Sequence, residues 1–203
     1  NLTGDLRWTW CEDGLPEIIA STIDEAVPGA TVDAVLLRRA TAEAGLVARV
    51  IDHASVLAAA RAHASTHAVS GSLTRNAKGL ELVVRLTPIL FPEAVKEWTF
   101  AAVDARVAMR AGREAARSIV ERVAHGLAMA GVASRSAAAV ATPFLSENPE
   151  ALTDYLRGRD ALARMDVTSA AINFERAVTK DPAFAAAQIG LAEALLTPWP
   201  SDE

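Results

Sequence analysis

The sequence predicts a mixed α/β protein with an all-helical C-terminal part, and three observations carry this prediction. Two segments rich in apolar and β-branched residues flank a short polar turn, as in a β-hairpin. Apolar residues recur at helical spacing on either side of that hairpin, and they recur again from residue 151 onward without a strand signal. We therefore expect an N-terminal α/β sandwich with a small mixed sheet, followed by a helical hairpin.

The first predicted helix begins near Leu15, because apolar residues then lie on one helical face as far as residue 26. Asp13 is its predicted N-cap, and Pro16 fits the first helical turn. Pro28-Gly29 is expected to end this helix. The next segment, Thr31–Leu37, fits a strand or the start of a helix running through Arg38–Ala44.

A second helix is predicted over Ser55–Ala64, and the hairpin strands follow at Thr66–Thr74 and Leu80–Leu86. Asn76 and Gly79 supply residues that tolerate a positive φ in the turn between the strands. A third extended segment is predicted over Val95–Val103, which contains Trp98. A long amphipathic helix is predicted over Ala108–Ala130, with Gly131 as its stop.

These elements divide the chain into a domain at 1–132, a Ser/Ala-rich linker at 133–148 and a helical segment at 149–197. The composition, 51% hydrophobic and 22% charged, is that of a globular chain. The net charge of −5 and the lack of a basic block argue against a nucleic-acid partner. No apolar run has the length of a membrane span, and the single cysteine excludes an internal disulfide.

No signal-like segment opens the chain. The chain begins at Asn1 without an initiator Met, so we expect it to be an excised portion of a longer protein. The sequence does not indicate a compartment. A soluble domain on the extracytoplasmic side of a membrane-anchored protein is one arrangement that it allows.

The C-terminal segment fits a helix–turn–helix repeat of about 34 residues, counted from Ala151 as its first position. Small, aromatic and turn residues stand where such a repeat needs them, at Gly158, Ala170, Phe174, Ala177 and Pro182. This segment resembles the tetratricopeptide repeat (TPR) family. Three positions depart from that family's pattern, and they predict a first helix packed in a slightly rotated position: Asp154 for Trp, Arg157 for Leu and Ala161 for an aromatic residue.

A second repeat is predicted to begin at Ala185, with Leu191, Ala192 and Leu195 in register, and to stop at Pro198–Pro200. Repeats of this kind bury their core only by stacking on neighbours, so we expect the full protein to contain more of them. The alternative is that a single hairpin caps the preceding domain.

The N-terminal part resembles the TolB-like amino-terminal (FlgO-like) family, which precedes TPR segments in bacterial signalling proteins. The resemblance implies an α/β fold and a sensing or docking role beside an attached regulator, cyclase or kinase, whose activity does not carry over. It covers nearly the whole chain and rests on the order of motifs that are individually weak: Asn1–Asp5, Trp10, Asp13–Leu15, Ala58–Ala64, His67–Ser72, Leu82–Leu86, Trp98 and Asn148–Arg159.

No complete catalytic or metal centre is recognisable in the sequence. His63 and His67 have a spacing that can hold zinc on a helix, with Asp52 and His53 as the nearest further ligands, but boundary histidines are the preferred interpretation. Ser70–Ser72 lies in a predicted strand, so it is not a nucleophile elbow, and its glycine indicates a bulge or close packing.

Cys11 is interpreted as an unreactive thiol, and Glu12-Asp13 as charge at a helix N-terminus. Trp8, Trp10, Trp98 and Trp199 could line a binding surface, although Trp8 and Trp98 are more typical of core or sheet-covering positions. We expect no cofactor and no bound metal.

The sequence therefore predicts a non-catalytic regulatory fragment whose TPR segment binds a protein partner. Its exposed binding residues are predicted to be Tyr155, Arg157, Arg159 and Asn173. An open sheet edge could also pair with a second copy or with a partner strand. The alternative function is a small-ligand sensor with a pocket between the sheet and the helices.

Overall fold

A computed structural model describes four stretches of the chain, 1–31, 53–77, 79–129 and 145–196. The chain separates into two compact units, Asn1–Val140 and Ala141–Glu203. The described residues form a three-stranded antiparallel sheet and six α-helices, which confirms the mixed α/β class. Three predicted features lie wholly or almost wholly outside the described residues: the segment Thr31–Ala44, the linker up to residue 144, and the stop at Pro198–Pro200.

Helix α1 (Cys11–Ala26) begins earlier than the sequence predicted. Its N-cap is Trp10 rather than Asp13, which lies in the first turn, and Pro16 lies inside the helix. The predicted cap is wrong because Cys11, one turn before the predicted start, is itself buried on the apolar face. The predicted end is confirmed, since α1 stops just before Pro28.

The sheet consists of β1 (His67–Asn76), β2 (Gly79–Pro88) and β3 (Lys96–Ala101), in the order β1-β2-β3. Both pairings are antiparallel, which confirms the hairpin and the third extended segment, but the described strands do not form a mixed sheet. Gly79 has a φ of +123°, so the turn uses the glycine as the sequence predicted.

One face of the sheet packs against α1 and α3 (Ala105–Met129), and Leu82, Val84 and Leu86 of β2 join that core. The two helices come close at Gly112, where a Cβ would lie 3.3 Å from Leu15 Cδ2. Helix α2 (His53–Ala62) packs instead on Ala68 and Ile89. Ala68 pairs with Thr87, next to Leu86, so alternation along the strand puts α2 on the opposite face.

The second unit contains α4 (Pro149–Ala163), α5 (Val167–Lys180) and α6 (Ala185–Leu196). Asn148 caps α4 by accepting from Glu150 N and Ala151 N, and Asp166 caps α5 by accepting from Ser169 N. The short link between α4 and α5 makes them antiparallel neighbours. Helix α5 packs against both α4 and α6, so it is the central helix of this unit.

Candidate protein-interaction surface

Phe174, on α5, lies at the centre of the helical unit with 1% of its surface exposed. A Cβ added at Gly158 of α4 would lie 2.7 Å from the ring, and one added at Gly190 of α6 would lie 2.8 Å from it. Real Cβ atoms do not approach so closely, so each glycine leaves room for the aromatic ring. The ring is therefore held between two helices that each lack a side chain where it contacts them.

The other predicted repeat residues of α5 surround this contact. Ala170 and Ala177 lie one turn before and one turn after Phe174 and have no exposed surface. Small side chains at these places let the neighbouring helices approach the aromatic ring. Pro182 follows the C-cap of α5 and is exposed, so it ends the helix without entering the core.

Tyr155 is buried, with 6% of its surface exposed, and the prediction that it belongs to the exposed surface is wrong. Its ring centroid lies 5.8 Å from that of Phe174 and 5.0 Å from that of Phe184, so it extends the aromatic core. The predicted exposure of Tyr155 is wrong for a reason that lies in the repeat pattern. Asp154 stands at the position where that pattern has a large aromatic residue, and the neighbouring tyrosine fills the core instead.

The other three predicted surface residues are at least partly accessible. Arg157 has a side chain that is 66% exposed and lies 3.4 Å from Asp154 Oδ1. The guanidinium of Arg159 lies 6.0 Å from the ring centroid of Tyr155, as in a cation–π contact. Asn173 is half-buried, and its Nδ2 donates to Ser169 O one turn earlier in α5. These contacts hold the three side chains against their own unit.

A buried carboxylate lies at one end of the unit. The side chain of Asp154 is 5% exposed, and the Lys180 ammonium lies 2.7 Å from its Oδ2, within ion-pair distance but outside hydrogen-bond geometry. Ser146 donates a short hydrogen bond to Asp181, and Asn148 Nδ2 donates to Lys180 O at 3.3 Å. These bonds tie the segment before α4 to the end of α5.

Helix α6 presents apolar side chains to solvent as well as to the core. Ile189, Leu195 and Leu196 are 58%, 70% and 81% exposed. Reasoning from the sequence missed this surface, although the signal was present: Gln188 and Glu193 are the only polar residues of α6. A helix that is apolar all round is expected to be covered on both sides.

The predicted metal-binding histidines do not form a described site. His63 is exposed just beyond the end of α2, whereas His67 is the first residue of β1, where burial lowers the pKa of its imidazole. His67 Nδ1 lies 3.0 Å from Thr66 Oγ1. Groups of three or more potential metal ligands are absent from the part of the chain that the structure describes, which leaves out Asp52 and the side chain of His53.

Cys11 lies in the core of the first unit, where burial raises the pKa of its thiol to about 12. Since the thiolate is the reactive form, this confirms the interpretation of Cys11 as an unreactive thiol. Gly71 lies within β1, where a Cβ would come 2.6 Å from Val83 O of the neighbouring strand. The close packing that the sequence indicated at Ser70–Ser72 is therefore a backbone contact.

Trp8 and Trp98 both pack in the core of the first unit, as the sequence favoured, and Trp10 is partly buried against the same core. Trp199 lies outside the described residues. None of the helices in the described stretches is both long and apolar enough to cross a membrane. Comparison with models of known protein families, with curated proteins and with solved structures gives no match for this chain.

Proposed function

We propose that this chain is a non-catalytic regulatory fragment whose helical unit is a TPR segment that binds a protein partner. The observation that carries the proposal is the packing of the Phe174 ring between Gly158 and Gly190. It puts the residues of the predicted repeat register, glycine on one helix and aromatic on the next, in direct contact. The exposed apolar residues of α6 support it further, because Ile189, Leu195 and Leu196 lie close together on one short helix and contiguous apolar patches are typical of interaction surfaces.

The chemistry of the described residues fits a binding role better than a catalytic one. Cys11, the only thiol of the chain, is buried and has a raised pKa. The buried carboxylate of Asp154 is engaged by Lys180 and Arg157, which suits a structural ion pair. Neither group is arranged as a nucleophile beside a base.

The test is affinity capture from the native host with the full chain as bait and quantitative mass spectrometry as the readout. Two glycine variants separate the units: Gly158→Val should disrupt the helical unit, and Gly71→Val the sheet unit, because both added side chains would overlap neighbouring atoms. Hydrogen exchange of each variant establishes which unit has opened.

We expect a stoichiometric partner that the wild-type chain and Gly71→Val both retain and that Gly158→Val loses. Loss with Gly71→Val alone would move the binding role to the sheet unit. A wild-type chain that captures no protein at all would contradict the proposal.

A further inference from the structure

The N-terminal residues lie along the outer edge of β1. The backbone N–H of Leu2 donates to Leu73 O at 2.8 Å. Because β2 lies on the other side of β1, this carbonyl faces away from β2. Backbone groups alternate in direction along a strand, so those of Val69 and Gly71 face the same outer edge. On that edge, neither residue has a backbone hydrogen-bond partner among the described residues.

A second contact gives the direction of this N-terminal segment. Asp5 Oδ2 lies 3.3 Å from Arg75 Nη2. Both residues follow the bonded pair, Leu2 and Leu73, along their own stretches of chain. The two stretches therefore advance in the same direction, and the segment runs parallel to β1. Followed backwards from Leu2, the same line passes along the first half of β1.

The exposure of β1 changes where this segment stops. Leu73, beside the segment, is 2% exposed, whereas Val69 is 38% exposed and Gly71 is exposed as well. All three lie on the face of the sheet that packs against α1 and α3, since alternate residues share a face. The residues that pair with Val69 and Gly71 in β2, Leu86 and Val84, are buried. The face itself is therefore covered, and the exposure arises at the outer edge of β1.

Parallel pairing determines which side chains of a neighbouring segment would face this core. The bond made by Leu2 aligns it with Thr74, whose side chain points to the opposite face of the sheet. The 53% exposure of Leu2 agrees with this alignment. By the same alternation, the second and fourth residues before Asn1 would face the core, beside Gly71 and Val69. Apolar side chains at these two places would cover the exposed part of that face.

We propose that the outer edge of β1, from His67 to Leu73, is a docking site for an extended segment that leads directly into Asn1, runs parallel to β1 and carries apolar residues at alternate positions. The inference concerns the sheet unit and does not depend on the function proposed for the helical unit. Backbone bonds to Val69 and Gly71 would hold the segment, and its apolar side chains would extend the core.

The direction of Asn1–Thr3 favours a segment joined to Asn1 over a strand of another molecule. A separate strand in the same line would have to end where Asn1 begins, and its association would cost translational and rotational freedom. The few backbone bonds available between His67 and Leu73 contribute too little to offset that loss. A joined segment needs only the ordering of a short stretch of chain.

The probe is the full chain with Val-Thr-Val-Thr-Val-Thr added before Asn1. This order puts the valines on the core face and the threonines on the opposite face. The control extension, Thr-Val-Thr-Val-Thr-Val, has the same composition and the same β-propensity, but its shift by one residue exchanges the two faces. Amide hydrogen exchange resolved by NMR is the measurement.

We expect the first extension to slow exchange of the Val69, Gly71 and Leu73 amides at least about tenfold relative to the chain without an extension, because each amide gains a carbonyl acceptor. The shifted extension should slow their exchange less than about threefold. Two amides serve as internal controls. That of Ser72 faces β2 and should be protected in every chain, and that of Thr99 faces the outer edge of β3 and should exchange equally in all.

The native residues that lead into Asn1 test the source of the segment. Added to the chain in place of the synthetic extension, they should protect the same three amides to a similar extent. Protection by the synthetic extension without protection by the native one would mean that the edge accepts a strand but that this segment is not its occupant. The proposal would then be wrong.

Four further results would overturn it. One is exchange that the first extension leaves unchanged. The second is equal protection by both synthetic extensions, which would mean that the core face does not select apolar side chains. The third is protection of the three amides in the chain without an extension, which would show that another part of the chain covers the edge. The fourth is protection that rises with protein concentration, or that a free Val-Thr-Val-Thr-Val-Thr peptide provides equally, which would make another molecule the occupant.

Discussion

The two units use glycine for close contact in different ways. In the sheet unit, Gly71 brings β1 against the backbone of β2, with Val83 O in the place of a Cβ. In the helical unit, Gly158 and Gly190 make room for a side chain, the ring of Phe174. A backbone contact fixes strand geometry, whereas a side-chain contact fixes which residue can enter. A substitution at Gly158 or Gly190 therefore changes which side chain the core of the helical unit can accept, whereas a substitution at Gly71 changes the distance between two strands.

The difference extends to folding. The three described helices of the second unit are joined by short links, so their contacts are local in sequence. The core of the first unit brings Leu15 of α1 together with Leu82 of β2 and Ile119 of α3, which are far apart along the chain. Local contacts need less loop closure, so we expect the helical unit to fold faster.

The largest effect is expected for Phe174→Ala. Removing a fully buried aromatic side chain from between two glycines leaves a cavity that neither can fill, so the helical unit should lose about 3–5 kcal/mol. Hydrogen exchange with mass spectrometry should show faster exchange throughout α4 to α6 and unchanged protection in β2. Ile172→Ala, at a 44% exposed position of the same helix, is the control and should cost much less. Equal loss of protection in β2 would mean that the two units do not unfold separately.

The next effect is expected for Gly71→Ala, which should destabilise the sheet unit by about 1–3 kcal/mol, because its Cβ meets the carbonyl of Val83. Alkylation of Cys11 can measure unfolding of the sheet unit, since Cys11 is the only cysteine and lies in the core of that unit. Under conditions where reclosing outpaces labelling, alkylation of Cys11 should rise roughly in proportion to the opened population, about tenfold for each 1.4 kcal/mol. Ser70→Ala is the control at a neighbouring position of β1. An unchanged alkylation rate in Gly71→Ala would show that β1 can shift to accept the methyl group.

Features of the fold that depend on residues close together in the sequence were predictable. The hairpin of β1 and β2 and the helical hairpin around Gly158 were predictable, because alternation, turn glycine and repeat register are local signals. The burial of Tyr155 was not, because Asp154 stands where the repeat pattern has its aromatic residue, and the neighbouring tyrosine packs with Phe174 and Phe184 instead. The start of α1 was not predictable from the aliphatic residues alone, because Cys11 extends the buried face of that helix by one turn.

Of the candidate site, the buried half was predictable and the exposed half was not. The repeat register identified Phe174 and its glycine on α4, but it did not include Gly190, which lies at a different position of the next helix. The exposure of Ile189, Leu195 and Leu196 on α6 was not predictable from the sequence. Exposure is a property of the assembled fold, and a periodic apolar pattern gives no measure of it.

A smaller effect is expected for Lys180→Met, about 1 kcal/mol of lost stability in the helical unit. The substitution leaves the buried carboxylate of Asp154 with Arg157 as its remaining cation, at 3.4 Å. The loss is modest because the lysine side chain is 37% exposed and its pair is partly screened by water. Adding Asp154→Asn to Lys180→Met should recover part of the stability, as measured by urea unfolding. No recovery would mean that the lysine stem, rather than the charge, stabilises the unit.

The smallest effect is expected for a matched pair of changes to glycine. Met165 after α4 and Ala64 after α2 have φ values of +61° and +51°, in the left-handed region. Both are followed by the same bond, from Asp166 N to Ala161 O and from Ser65 N to Ala60 O.

Met165→Gly and Ala64→Gly should each stabilise their own unit by about 0.5 kcal/mol, since relief of backbone strain exceeds the entropy cost of glycine. Urea unfolding monitored by hydrogen exchange should assign each gain to one unit. A gain from Met165→Gly that also protects β2 would show that the helical unit stabilises the sheet. The two units would then unfold as one cooperative structure.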